Sequence, residues 1–207
     1  MIKRLKQLIK KSLKITTSKK ENVKSLLDIL IEKGNVIVGE NCDISNLIIA
    51  GYSFKDRFPN VIIGKDCHLL GQIELQSNEA QVIIGDRVFI GPNTKLFCRD
   101  KIEIKNDVLV SWGCTLIDTN AHSLESSERV NDVVDWKRGW EYKNWAVVES
   151  KSILIDTKCW IGFNSIITKG VTLNQGCIVA SGSVVTKSSL EFSVIGGNPA
   201  RFIKHTT

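Results

Sequence analysis

The chain has 207 residues, 43% hydrophobic and 24% charged, with a net charge of +6. That length suits one domain with a sizeable core. No stretch approaches the ~20 apolar residues of a membrane-spanning helix, and the N-terminus lacks the apolar core and cleavage pattern of a secretory signal, so a cytoplasmic location is expected. The positive charge is local: residues 1–20 hold eight Lys or Arg and no acid, and without them the other 187 residues carry −2. The body therefore lacks the basic, aromatic-interleaved surface of a nucleic-acid binder, and no nucleic-acid partner is expected.

In chain order, residues 1–34 read as a helical segment, with Leu5, Leu8, Ile9 and Leu13 at helical spacing and Gly34 as a stop signal. Thr16-Thr17-Ser18 divides it into two helices, and Ser18 could cap the second. The first is basic and amphipathic. It suits peripheral contact with an anionic membrane, or it packs on the body or a neighbouring subunit with its lysines solvated.

After Gly34 the helical period gives way to a repeat of six: an aliphatic residue, often Gly next, two polar residues, a small residue, then any residue. Hexads open at Val38, Ile63, Ile84, Ile90, Ile104 and Val110, and then run unbroken from Ile155 through Ile161, Ile167, Leu173, Val179 and Val185. Five of the six cysteines, Cys42, Cys67, Cys114, Cys159 and Cys177, share the fifth, small position with Ser165, Val171 and Ser183. Cysteine used so regularly is a small buried hydrophobe rather than a disulfide or metal ligand. Cys98 alone is out of register.

A strand that turns every six residues makes a triangular prism, with three hexads to a coil of eighteen and Gly permitting the turn. The expected fold is an all-β solenoid, a parallel β-helix of about six triangular coils, each burying its apolar face only against its neighbours. The β-helix should span 35–188, with residues 189–207 as a C-terminal cap. Coil starts at 38, 63, 84, 104, 155 and 173 leave insertions of 7, 3, 2, 33 and 0 residues, all after the third hexad and so along one edge. The long insertion, loop 118–152, is where chemistry is expected. His122 is its only histidine, and histidine titrates near the working pH of a general base. His68 sits at an outward hexad position and His205 in the tail.

Asp118-Thr119-Asn120-Ala121-His122-Ser123, Trp160-Ile161-Gly162, Lys169-Gly170-Val171, Ala180-Ser181-Gly182-Ser183-Val184-Val185-Thr186-Lys187 and the closing Gly196-Gly197-Asn198-Pro199-Ala200-Arg201-Phe202-Ile203-Lys204 resemble the hexapeptide-repeat acyltransferases, especially the bacterial sugar and polysaccharide O-acetyltransferases. The resemblance covers residues 36 to about 204 and implies a left-handed β-helix, although parallel crossovers are in general right-handed. It implies acetyl-CoA as acyl donor, no metal, a sugar or glycan hydroxyl as acceptor, and His122 as general base.

A base of this kind needs its second ring nitrogen held by an acceptor. Asp118, Glu125 or a backbone carbonyl could serve. Asn120 could orient the acceptor or stabilise the turn that leaves the coil. Family analogy points to the turn at Gly162 for oxyanion stabilisation. Trp160 occupies a position that lines the family's active site, or is a corner aromatic packed on the next subunit. By the same resemblance, Ala180 and Thr186 contact the cofactor from the coil, while Lys187, Arg201 and Lys204 approach its phosphates. The loop residues Arg129, Asp132, Asp135, Trp136, Lys137, Arg138, Trp140, Tyr142 and Trp145 suit both sugar stacking and docking on a neighbour. A homotrimer is expected, because one prism edge extended by a long loop leaves apolar groups that a monomer would expose. The competing readings are N-acylation of an amino sugar and a non-catalytic β-helix scaffold.

Overall fold

A computed structural model describes residues 25–51, 54 and 58–206. The basic helix expected within residues 1–20, with its Ser18 cap and its membrane or packing role, lies outside the described residues. The first described element is helix α1, Leu26–Glu32. Ser25 caps it in a reciprocal capping box with Asp28, and Gly34 leaves it with φ +76°. Leu30, 2% exposed, joins α1 to the core at the open end of the first coil.

The repeat then folds into three parallel sheets, one strand of each coil per sheet. The first sheet is built from Val36–Val38, Val61–Ile63, Gln81–Ile84, Lys101–Ile104, Ile153–Ile155 and Thr172–Leu173. In it Val38, Ile63, Ile84, Ile104, Ile155 and Leu173 stack in register, and these are the six coil starts read from the sequence. The second sheet aligns Leu69, Ile90, Val110, Ile161, Val179 and Ile195. The third aligns Ile49, Ile73, Leu96, Leu116, Ile167 and Val185. Ile49, Leu69, Ile73, Leu96, Leu116 and Ile195 were not among the hexad openings read from the sequence; the segments of Ile49, Ile73, Leu96 and Leu116 run into insertions. The second sheet ends in an antiparallel hairpin, Ser193–Gly197 with Ala200–His205.

Two conformational jobs that the sequence reading merged into one glycine are divided between two positions. The fourth residue of the hexads, from Asn41 (φ 57°) and Asp66 (φ 57°) through Asn164 (φ 55°) to Gly182 (φ 71°), adopts the left-handed conformation. Asn, Asp and Gly tolerate it best. The glycine in second position serves close approach instead. A Cβ on Gly85 would stand 2.9 Å from the Lys105 carbonyl carbon, and one on Gly162 would stand 2.7 Å from the Ser181 nitrogen in the next coil.

The cysteines all have free thiols. Those at the small position donate to carbonyls of the following coil: Cys42 to Gly64 at 3.1 Å, Cys67 to Gly85 at 3.1 Å and Cys114 to Gly162 at 3.3 Å. Burial pushes the Cys159 thiol up to about 12, so it stays a neutral packing group. Cys98, the exception in register, is also buried and stacks on Leu75 in the third sheet.

Every insertion falls between a third-sheet strand and the next first-sheet strand, so all leave from one prism edge. The longest joins Thr115–Ile117 to Ile153–Ile155 and holds two short helices, α2 (Ser126–Arg129) and α3 (Asp132–Arg138). Among the described residues no helix is long and apolar enough to cross a membrane.

Candidate active site

The long loop leaves the coil through a closed neck. The amide of Asn120 donates to the carbonyl of Glu149 at 2.9 Å, that of Lys151 donates to Asp118 at 2.7 Å, and Thr119 bridges Ser150. Ala121 then turns the chain with φ 59°, a left-handed conformation that is uncommon for alanine. The turn sets His122 at the root of the loop, where α3 comes back to meet it.

His122 Nδ1 is hydrogen-bonded to Asp132 Oδ2. Lys143 Nζ also reaches Asp132 Oδ2, at 3.0 Å, donates to the Ala121 carbonyl and lies 3.3 Å from His122 Nδ1. The Lys143 side chain is wholly buried, with Nζ 4.6 Å from the Trp136 ring centre and 4.7 Å from that of Trp145. A buried ammonium is tolerated when it is paired and hydrogen-bonded, and both conditions hold. Burial disfavours the Asp132 carboxylate, but the hydrogen bonds from His122 and Lys143 and their charges outweigh it and hold this carboxyl below the usual range. Asp132 is therefore an anion at neutral pH. An anionic acceptor on Nδ1 keeps the proton there and leaves Nε2, which has no hydrogen-bond partner among the described residues, with its lone pair free.

The structure thus puts Asp132 on the histidine, and neither Asp118 nor Glu125. Asp118 is fully buried in the neck, where its carboxylate accepts the amides of Arg99 and Asp100, both at 2.8 Å. Burial pushes its carboxyl above the usual range despite those bonds. Glu125 precedes α2, with its amide on Ser123 Oγ. Asn120 contributes backbone to the neck and accepts the His122 amide at 2.7 Å. Asp132 and Lys143 lie 10 and 21 residues beyond His122. The loop reading counted Asp132 among nine residues without a role and did not include Lys143; an isolated lysine in an irregular loop carries no sequence signal of burial.

The expected cofactor residues fall elsewhere on the chain. Gly162 donates its amide to the Val179 carbonyl at 2.9 Å, so that N–H is already engaged in the ladder between coils and is not free for an oxyanion. Trp160 is exposed, with Nε1 3.3 Å from Ser111 Oγ. Ala180 is tied into the coil through its amide to Ile195. Lys187 and Arg201 line one cleft of about 260 Å³ at the terminal hairpin, together with Ser188, Leu190 and Phe202. Thr186 adjoins Lys187 and is exposed, while Lys204 lies further along the last strand, opposite Val194. His122 and this cleft share no lining residue within one chain. His68 is exposed and pairs with Asp43 at 3.4 Å.

Coils in this register, closed by a hairpin and interrupted by one long loop, define a parallel β-helix of the hexapeptide type. The profile of the hexapeptide repeat of succinyl-transferase matches residues 153–187. A probable acetyltransferase of Mycobacterium tuberculosis is 23% identical over 85% of this chain and 52% of its own length. WbbJ of Escherichia coli, named for lipopolysaccharide biosynthesis O-acetyl transfer, is 25% identical over 59% of this chain and 60% of its own. The chain therefore spans between half and two thirds of the length of these relatives. Among solved structures, the N-acyltransferase AntD of Bacillus cereus, in complex with dTDP and coenzyme A, matches with TM-score 0.65 at 22% identity, covering 89% of this chain and 90% of its own. A hexapeptide-repeat acetyltransferase of Vibrio cholerae, in complex with acetyl-CoA, matches with TM-score 0.55 at 18% identity over 90% and 80%. The chain shares the left-handed β-helix fold of these hexapeptide-repeat acyltransferases.

Proposed function

We propose that this protein transfers an acetyl group from acetyl-CoA to a hydroxyl of a sugar or surface-polysaccharide precursor, with His122 as general base. One observation carries the reading: His122 is held through Nδ1 by an ionised Asp132 and has Nε2 free among the described residues, at the root of the long loop that leaves the prism edge after Ile117. The acceptor oxygen attacks the thioester carbonyl while its proton passes to Nε2. The tetrahedral intermediate then expels the coenzyme A thiolate, which takes that proton back from the imidazolium. Asp132 stabilises the imidazolium while it exists. Lys143 fixes both Asp132 and the Ala121 turn, and so acts as a positioning residue.

Lys187 and Arg201 are the cofactor's phosphate contacts in this reading, with Lys204 and Thr186 nearby. Because base and cation cleft share no lining within one chain, the complete site is taken to form between subunits of a homotrimer. Leu109, Trp112, Trp160 and Phe163, each 42–53% exposed, form an apolar stripe suited to that contact, and Trp112 and Phe163 stack at 5.2 Å. The fold match to an N-acyltransferase favours a second reading, N-acylation of an amino sugar. Incubating the pure protein with acetyl-CoA and matched hydroxy and amino sugars, with thiol release and product mass as readouts, tests both. An O-acetyl product supports the first reading, an N-acetyl product the second, and no thiol release above the rate without protein rejects both.

A further inference from the structure

A cleft of about 350 Å³ opens beside His122, lined by Glu74, Gln76, Ala121, Trp136, Trp140 and Trp145. Glu74 is the third residue of a third-sheet strand, Gln72–Leu75, in which Ile73 and Leu75 point into the core. Residues two apart in an extended segment share a face, so Glu74 and Gln76 both point out of the prism. Gln76 is nevertheless only 6% exposed, because the tryptophan loop lies over it, and its buried Oε1 has no hydrogen-bond partner among the described residues. A buried acceptor without a partner carries an uncompensated desolvation penalty. Gln76 lines a cleft large enough for a ligand, and its Oε1 lacks a donor.

Glu74 is a carboxylate and Gln76 offers a buried amide oxygen, the walls are three indoles, and among the described residues no cation lines the cleft. Lys143, the nearest ammonium on the loop, is sealed beneath Trp136 and Trp145 and committed to Asp132 and the Ala121 carbonyl. Arg99 lies against Trp145, 4.2 Å from the ring centre, and donates to the backbone carbonyl of Gln76 at 3.0 Å, not to its Oε1. The volume is at the small end of the ~300–1,000 Å³ typical of ligand pockets. Trp136 links the cleft to the base, its ring centre 5.0 Å from that of His122.

We propose that this cleft is the acceptor subsite and takes a single uncharged pyranose ring, with a ring hydroxyl donating to Gln76 Oε1 and apolar ring faces against the indoles. Glu74 disfavours sugar carboxylates and phosphates, which would meet no opposing cation among the described lining residues. The assignment rests on the sugar-acyltransferase reading of His122, but its binding test needs no acyl donor. The full chain is titrated with methyl glucoside, galactoside, mannoside and N-acetylglucosaminide, and with methyl glucuronide and N-acetylneuraminic acid as acidic arms, following tryptophan emission. At least one neutral glycoside should shift the emission saturably and the acids should not. Gln76→Met should weaken that binding at least fivefold and raise the acceptor KM equally, leaving the acetyl-CoA KM unchanged. Should Gln76→Met lose its far-UV circular dichroism, Trp140→Leu on the loop serves in its place. Equal binding of the acids, no binding of any neutral glycoside, or an unaltered affinity in the folded variant overturns the subsite. Glycoside binding without transfer would keep the subsite and remove the acyltransferase reading; transfer with an unaltered acceptor KM in Gln76→Met would do the reverse.

Discussion

The coil stack and the loop that leaves it are held together in opposite ways. In the stack each core side chain has an equivalent one coil above and below, so Ile104 rests between Ile84 and Ile155 and its neighbours repeat the arrangement. Such a structure is a sum of nearest-neighbour terms. The loop has no repeat. Beyond the closed neck it is fixed by single contacts, chief among them one buried ammonium, Lys143, which ties α3 through Asp132 and the neck through Ala121 to the histidine between them. Stability is thus distributed along the stack and chemistry concentrated in the loop, and substitutions in the two should fail differently.

The largest effect should come from the loop. His122→Ala is expected to lower turnover by about 10² to 10⁴ fold, the contribution of a positioned general base. Acetyl-CoA affinity and thermal midpoint should stay near those of the wild type, because His122 contributes nothing to the aliphatic stack. Near-normal turnover in the folded variant would remove His122 as the base. The converse substitution is Ile104→Ala, which empties a site that is 1% exposed and should cost about 2–5 kcal/mol of stability. At temperatures where the variant is folded its turnover should be little changed. A large turnover loss with an unchanged thermal midpoint would mean that stack and loop are not separable.

Lys143→Met should give a smaller, diagnostic effect. Without the ammonium, Asp132 and the Ala121 turn lose the group that joins them, so His122 should be held less often in the geometry of a base. Turnover should fall about tenfold with the acetyl-CoA KM unchanged, and Lys143→Arg should recover part of the loss. Full turnover in a folded Lys143→Met would remove Lys143 as a positioning residue.

What could be read from the sequence follows the same division. Six aliphatic residues in fixed register announce the stack, and the coil starts coincide with the stacked residues because the repeat is the physical cause of the stacking. The unequal insertions placed the loop on one edge for the same reason. Asp118 was one of three candidate partners of His122, with Glu125 and a backbone carbonyl, because it lies close by in sequence, whereas the neck turns it inward to the amides of Arg99 and Asp100. The partner that the structure shows, Asp132, comes from a helix whose approach depends on Lys143, a contact between irregular segments that no period encodes. Gln76 was missed for a related reason: a glutamine on an outward face is normally solvated, and only the loop folding over it makes it buried.

The smallest effect concerns the two aspartates, whose shifts have opposite signs. Asp132 is held below its ordinary value of 3.8 in the folded loop. Its contribution to loop stability is therefore complete above that value and is lost as pH falls through the depressed one. Asp118 is held above 3.8. Its ionisation opposes folding at neutral pH, and that opposition fades as pH falls through the raised value, so mild acid should relieve the neck. Protonating Asp132 also strands the Lys143 ammonium in a buried site, and breaking such a pair costs about 3–5 kcal/mol. The loop should then open while the stack, whose core contains no charge, stays folded. In an acid titration the tryptophan emission, to which the loop contributes Trp136, Trp140 and Trp145, should change before far-UV circular dichroism is lost. Asp132→Asn, which strands Lys143 at every pH, should show the open emission already at neutral pH and no further acid step. Asp118→Asn should keep that step. Coincident loss of both signals in the wild type would show that loop and stack unfold as one unit.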